Sequence, residues 1–286
     1  MKNRNEFRFF ERLRVRWAEI DAQQIVFNGH YLTYVDTAMG GYWRALALPY
    51  ADTMKALEGD FFVRKATLEY LASARYDDVV DVGMRCERIG SSSMLIECAV
   101  FRGQEALVLG ELVYVFADPQ TQTSKPVPQA LRELLVGFEA GEAMVDVRLG
   151  DWASLGAQAQ AIRQQVFIDE QKIPAHLESD TADTTCVHAL AVNRLGAALA
   201  TGRLIEHAPG VGKIGRMAVL RTLRGGKLGR AVLDALMKAA LERGFREVVL
   251  DAQLSAAPFY ARAGFSERGA VFEEAGIAHI VMTRKP

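Results

Sequence analysis

Ten residues of this chain, RTLRGGKLGR at 221–230, hold four basic side chains and three glycines, directly after the apolar run KIGRMAVL at 213–220. A glycine-rich segment leading into a helix exposes backbone N–H groups at an end of partial positive charge, so its chemistry suits a phosphate. Between Lys213 and Arg230 there are six basic residues and no acidic one. The stretch is not a P-loop, because Arg221 and Leu228 stand where a glycine and a Ser or Thr would be needed around Gly226-Lys227. The Gly-x-Gly-x-x-Gly spacing of a dinucleotide fingerprint is absent too. Tyr260, in PFYARAGF, offers a proton, although an aromatic pair at the start of a helix commonly just packs. Asp21, in RVRWAEIDAQQIVFNGHYLTYVD, offers a carboxylate, although an aspartate there is more often a turn residue or a cap. Glu170, Glu178, Asp180, His188 and His279 can each act as a base through water, and the sequence singles out none of them.

These residues need elements to place them, and composition supplies ample core. The chain has 286 residues, half of them apolar and 24% charged, which fits two domains of ordinary size. A net charge of -1 argues against a general nucleic-acid or membrane-surface binder. Cys86, Cys98 and Cys186 are far apart, so neither a disulfide framework nor a metal site is expected, and a reducing cytoplasm fits best. The N-terminus mixes charge with aromatics, and no segment approaches the ~20 apolar residues of a membrane span.

In the first part, RLRVRW (12–17) alternates as a strand with Leu13, Val15 and Trp17 on one face. A helix is expected from Gly29 to about Leu46, with Leu32, Val35, Met39, Tyr42 and Trp43 on its buried side. Its Gly40-Gly41 pair, costing about 1 kcal/mol each against alanine, implies close packing of another backbone. FFVRKATLEYL, VVDVGMRCERI, SMLIECAVF and ALVLGELVYVF then read as four antiparallel strands. A helical stretch, QALRELLVGFEA, leads to a boundary near 140–145. The second part alternates: a helix in LGAQAQAIRQQVFIDEQ, strands in CVHALAV, ALATGRLIE and KIGRMAVL, and a helix after the glycine loop ended by Gly244. A strand in FREVVLDAQ, a short helix in APFYARAG and a last strand in AHIVMTR complete it.

Residues 144–286 resemble the GNAT acetyltransferase superfamily. Arg224, Gly225, Gly226, Lys227, Leu228 and Gly229 stand where its acetyl-CoA signature lies, with Lys227 replacing the more frequent glycine. IRQQVFIDEQKIP, PFYARAGF and EEAGIAHIVM match in the same order. The resemblance implies that the amides of this loop, through Arg230, hold the CoA pyrophosphate. It further implies that the strand around Ala218 and Val219 pairs with the pantetheine and that Tyr260 protonates the departing thiolate.

Residues 8–128 resemble the hotdog fold of the 4-hydroxybenzoyl-CoA thioesterase family, on the order strand, Asp21, apolar turn, Gly-His-Tyr, helix and four strands. There Asp21 implies a nucleophile or general base, and Asn28, Gly29, His30 and Tyr31 the oxyanion and thioester pocket. Gln23 and Gln24 stand where glycine is frequent in that family. The expectation is an α+β chain. Residues 1–140 form a hotdog domain, an antiparallel sheet wrapped on a central helix, and residues 144–286 a mixed α/β GNAT domain. Acyl-CoA and an amine are the expected substrates, with a homodimer or higher assembly and no metal. The alternative is an acetyltransferase whose hotdog half only dimerises or binds acyl groups.

Overall fold

The structure, a computed structural model, describes residues 3–286. The chain divides into two compact units, Met1–Met144 and Val145–Pro286.

The first unit runs β1 (Phe9–Arg14), α1 (His30–Ala45), α2 (Tyr50–Ala56), β2 (Asp60–Tyr70), β3 (Val79–Ile89), β4 (Ser93–Arg102), β5 (Glu105–Ala117) and α3 (Gln129–Glu139). Its five strands form one antiparallel sheet in the order β1-β3-β4-β5-β2. Helix α1 buries Tyr34, Val35, Ala38, Met39, Tyr42 and Trp43, and packs against β1 and β3. Leu32, expected on that buried stripe, is 43% exposed. Of the two helical glycines only Gly41 is a close approach. A Cβ there would overlap the Phe9 ring and the Glu11 carboxylate of β1, side chains rather than backbone, whereas Gly40 meets nothing nearer than 3.9 Å. The first strand also ends earlier than its alternation predicts. After Arg14 the chain turns into a 3-10 turn, Trp17–Glu19, because buried Glu19 accepts hydrogen bonds from the Arg16 amide (2.8 Å) and the Tyr34 hydroxyl (2.6 Å), and Trp17 swings outward.

The second unit runs β6 (Val145–Gly150), α4 (Trp152–Arg163), a π-helical turn (Gln164–Glu170), α5 (Ala175–Glu178), β7 (Val187–Asn193), β8 (Ala198–Ala208) and β9 (Val211–Val219). It continues with α6 (Leu228–Glu242), β10 (Glu247–Gln253), α7 (Ala257–Arg262), β11 (Ser266–Glu274) and β12 (Ile277–Arg284). Seven strands order as β11-β12-β10-β9-β8-β7-β6. All neighbours are antiparallel except β9 and β10, which α6 connects as a crossover requires. The α6 stripe of Leu228, Val232, Leu233, Leu236 and Met237 is buried, and Gly202 of β8 lets it sit close: a Cβ there would lie 2.9 Å from Leu236 Cδ1. Gly244, at φ +75°, ends the helix as expected. Four elements lie outside the expected set: α2, the short α5, β6, whose Val145, Val147 and Leu149 alternate over only six residues, and the almost wholly exposed β11. No helix among the described residues is long and apolar enough to cross a membrane.

Candidate functional site

The parallel ladder of β9 and β10 has only three pairs, Glu247↔Val211, Val248↔Gly212 and Val249↔Lys213. Beyond them the strands part, and the second unit holds a cavity of about 540 Å³ there. Gly215, Arg216 and Met217 line it from β9 and Asp251 and Gln253 from β10, with Tyr260 of α7 and His279 of β12 beside them. Open sheets bind ligands at such carboxyl-end crevices. A bulge sharpens the geometry: β8–β9 register jumps from Thr201↔Ala218 to Arg203↔Gly215, and Arg216 takes φ +53°. Ala218 and Val219 pair with β8 and with no other strand, so their edge can receive an extended polar chain, although the Val219 carbonyl already accepts from the Arg224 side chain.

The glycine loop follows directly. Gly226 N–H donates to Leu223 O (3.2 Å) and Ala231 N–H to Lys227 O (3.0 Å), while the amides of Gly225 and residues 227–230 have no such carbonyl partner. They stand together at the N-terminus of α6, where donors and dipole both favour an anion. Gly225 has φ +86°, the region glycine adopts freely. Lys227 holds φ +64° at the helix N-cap, a conformation costing about 1–2 kcal/mol for a residue with a side chain. A Cβ on Gly229 would lie 3.3 Å from Val219 Cγ2 and 3.7 Å from Phe259 Cζ. The basic side chains are less free than the amides. Arg224 donates to both oxygens of Glu170 (2.6 and 2.7 Å) and to Val219 O (3.2 Å), which holds Glu170 below its ordinary pKa, and Arg230 donates to Asp234 (2.8 Å).

Tyr260 is buried and packs edge-on against Phe259 and Phe265. Burial pushes its phenol up to about 12, so the hydroxyl stays a donor at neutral pH. That hydroxyl has no protein hydrogen bond, yet no buried side-chain N or O among the described residues lacks a partner. It therefore opens into the cavity that Tyr260 lines.

One wall of the cavity is fixed by a charge network invisible to spacing alone. Arg163 donates to the carboxylates of Glu178 and Asp183, Arg203 to Asp183 (2.7 Å) and Asp180 (2.7 and 2.5 Å), and Arg216 to Asp180 (3.2 Å) and Glu178 O (2.8 Å). The Arg203 hydrogen bonds hold Asp180 down to about 2. Burial opposes ionisation of Asp183, but the bonds from Arg163 and Arg203 outweigh it and keep its pKa low. Burial and the neighbouring Arg203 and Arg163 lower Arg216. His188 is buried against Trp152 and donates from Nε2 to Asp183 O (2.8 Å), away from the cavity lining. Asp183, Cys186 and His188 lie close enough to share a metal ion. They do not fit that role, because Asp183 is held by two arginines, His188 Nε2 is already a donor, and burial pushes the Cys186 thiol up to about 11.

In the first unit Asp21 opens a tight turn. Its Oδ1 accepts from Gln23 N (2.8 Å), its own N–H donates to Ile25 O (2.9 Å), and Ile20 bridges Val26. Gln24 takes φ +60°, which glycine would adopt more easily. At the start of α1, His30 N–H is used by Phe27 O (2.9 Å) and Tyr31 N–H reaches Asn28 O (3.4 Å), leaving the amides of Asn28 and Gly29 without a carbonyl partner. The Tyr31 ring is buried and its hydroxyl accepts from Ala74 N (2.9 Å), so it braces the core. His30 is half-buried and packs edge-on to the exposed Phe27 ring.

Comparisons with known proteins fall on these same halves. The Thioesterase superfamily profile matches residues 23–109, beginning just after Asp21, and the Acetyltransferase (GNAT) domain profile matches residues 157–286. The N-acetyltransferase YjcF of Bacillus subtilis (strain 168), itself uncharacterised, is 33% identical over 126 residues, 43% of this chain and 87% of its own length. A protein of Aquifex aeolicus (strain VF5) named as a candidate esterase is 31% identical over 94 residues, 33% of this chain and 73% of its own. The acyl-CoA thioester hydrolase YbgC of Escherichia coli O6:H1 is 24% identical over 120 residues, 42% of this chain and 89% of its own. With an antiparallel sheet carrying α1 in one unit and a mixed sheet splayed at its one parallel pair in the other, the chain belongs to the hotdog thioesterase superfamily in its N-terminal half and to the GNAT acetyltransferases in its C-terminal half.

Proposed function

We propose that this chain is a bifunctional acyl-CoA enzyme: residues 144–286 transfer an acetyl group from acetyl-CoA to an amine, and residues 1–140 hydrolyse an acyl-CoA thioester. The observation that carries the reading is the junction of three free donor sets in one unit: the loop amides of Gly225 and residues 227–230, the open backbone edge at Ala218 and Val219, and the Tyr260 hydroxyl. The amides hold the pyrophosphate, with Arg224 bracing the loop through Glu170. The strand edge pairs with the pantetheine and leads the thioester into the cavity. Tyr260 then donates a hydrogen bond to sulfur as charge develops there. With its pKa raised to about 12 and a thiol near 8.5, the phenol stabilises the thiolate more than it surrenders its proton.

In the hotdog half, Asp21 is the carboxylate for the thioester and the Asn28 and Gly29 amides are the oxyanion donors. Strand β2 is an edge of the sheet, paired only with β5 and exposed over much of its length, with Phe62, Val63 and Tyr70 at 39%, 55% and 49%. Such edges invite pairing, so a homodimer through β2 completes this half in a cytoplasmic setting. A second reading has its own support: the Asp21 carboxylate holds its turn, so the hotdog half is a non-catalytic module. Thiol release by the full chain across acyl-CoA lengths, with and without added amines, tests both. Amine-stimulated release supports the transferase, amine-independent release above buffer supports the hydrolase, and absence of the latter for every length favours the second reading.

A further inference from the structure

The charges around the cavity single out one group that can take a proton from the acceptor. Glu178 is bonded to Arg163, Asp180 to Arg203 and Arg216, and Asp251 of β10 to Lys213 of β9 (2.5 Å). Tyr260 of α7 is protonated. His207 of β8 and Glu274 of β11 lie exposed. His279 differs from all of these. It is 9% exposed, sits across from Gln253 at the end of β10, and stacks on Phe272 of β11 (5.8 Å between centroids). Its Nδ1 lies 2.8 Å from Ile277 O. A carbonyl only accepts, so Nδ1 carries the hydrogen and the neutral ring holds its lone pair on Nε2. Nε2 has no protein partner and, as with the Tyr260 hydroxyl, is not a buried orphan, so it opens into the cavity.

We propose that His279 is the general base for the acceptor amine, an assignment that rests on the acetyltransferase reading of the second unit. Nε2 takes one proton from the acceptor's ammonium and passes it to solvent. The neutral amine forms the N–C bond to the acetyl carbon, the C–S bond breaks with its electron pair on sulfur, and the second amine proton neutralises the thiolate. Glu170 and His188 are excluded by position, since neither lines the cavity. Glu178 and Asp180 are excluded by their ion pairs.

The test uses the full chain and two variants. In His279→Asn the side-chain amide can still donate to Ile277 O, while His279→Gln reaches the Nε2 position without a basic lone pair. Thiol release from acetyl-CoA is followed against pH with tyramine, spermidine and 2-phenylethylamine, and the rate without amine, which belongs to the hotdog half, is subtracted; calorimetry gives the Kd for CoA. Both variants should lose about 100-fold or more in kcat, the scale of a general base, and the wild-type ascending limb should vanish with Kd within about twofold. An Asn variant that keeps the wild-type rate or the limb makes the histidine structural and overturns the assignment alone. A wild-type chain that fails to bind CoA, or whose thiol release no amine accelerates, overturns the transferase reading and this assignment with it.

Discussion

The two halves hold their candidate chemical groups in opposite ways. In the GNAT half the groups of interest are conspicuous for what they do not bond: the amides of Gly225 and residues 227–230, the Tyr260 hydroxyl and His279 Nε2. In the hotdog half the corresponding groups are largely spent on their own scaffold. Asp21 holds its turn, Tyr31 supports Ala74, and only the Asn28 and Gly29 amides remain open. Buried polar groups are costly to leave unpaired, so a protein that leaves them facing a cavity has arranged for a ligand to bind them. A half that satisfies its polar groups internally needs a second surface to complete a site, which is the role the β2 edge would serve.

The sharpest way to break this contrast is to fill the cradle. Gly229→Val should weaken CoA binding by 100-fold or more in calorimetry, because its branched side chain meets Val219 and Phe259 and displaces the amides. A folded variant, checked by circular dichroism, that binds CoA normally would make the loop a plain basic turn. Next is Asp21→Asn, which retains an acceptor for Gln23 N–H and so keeps the turn while removing the charge. Acyl-CoA hydrolysis should fall by about 100-fold or more with Tm nearly unchanged; an unaltered rate would make the hotdog half non-catalytic.

A smaller effect lies in the cavity wall. Asp180 titrates at about 2 when folded and near 3.8 otherwise, so the folded state binds fewer protons between those values. Its stabilising contribution is complete above about pH 4 and is lost as pH falls through 2. The Tm gap between wild type and Asp180→Asn should therefore be full at pH 5 and shrink steadily below pH 4. Smallest are two changes in the loop. Arg224→Ala should alter CoA affinity by less than about threefold, since its guanidinium is committed to Glu170 on the surface. Lys227→Gly should raise stability by about 1 kcal/mol in thermal unfolding by relieving the left-handed backbone.

Much of this was legible in the chain because period and glycine placement carry it. Apolar runs mark four of the five hotdog strands, β2 to β5, and the α6 stripe with Gly244 marks a helix and its end. Short or exposed elements carry few positions of a period: α2 spans Tyr50–Ala56, β6 alternates Val145, Val147 and Leu149 over one short stretch, and β11 is almost wholly exposed, while α4 starts on its Asp151 cap ahead of the expected 155 and gives way to a π-helical turn at Gln164. The glycine loop and Tyr260 stand out as candidates from the local pattern that carries the GNAT resemblance. The Arg163–Glu178–Asp183–Arg203–Asp180–Arg216 network does not, since its members meet only when the β7–β8–β9 sheet and the α4–α5 segment assemble. Its only trace in the sequence is the acid cluster Glu178, Asp180 and Asp183 flanked by Arg163 on one side and Arg203 and Arg216 on the other. Nor does spacing choose among five candidate bases; the proposal of His279 rests on hydrogen-bond partners that only the folded chain brings together.

The central claim is that the chain carries two independent acyl-CoA chemistries, one depending on Tyr260 and the other on Asp21. The most direct measurement is thiol release by full-length wild type, Tyr260→Phe and Asp21→Asn, each with its best acyl-CoA and with or without the best amine. The account predicts that Tyr260→Phe loses about 100-fold of the amine-dependent rate and keeps the amine-independent one, and that Asp21→Asn does the reverse. Loss of both rates in a single variant, or of neither in both, would contradict it.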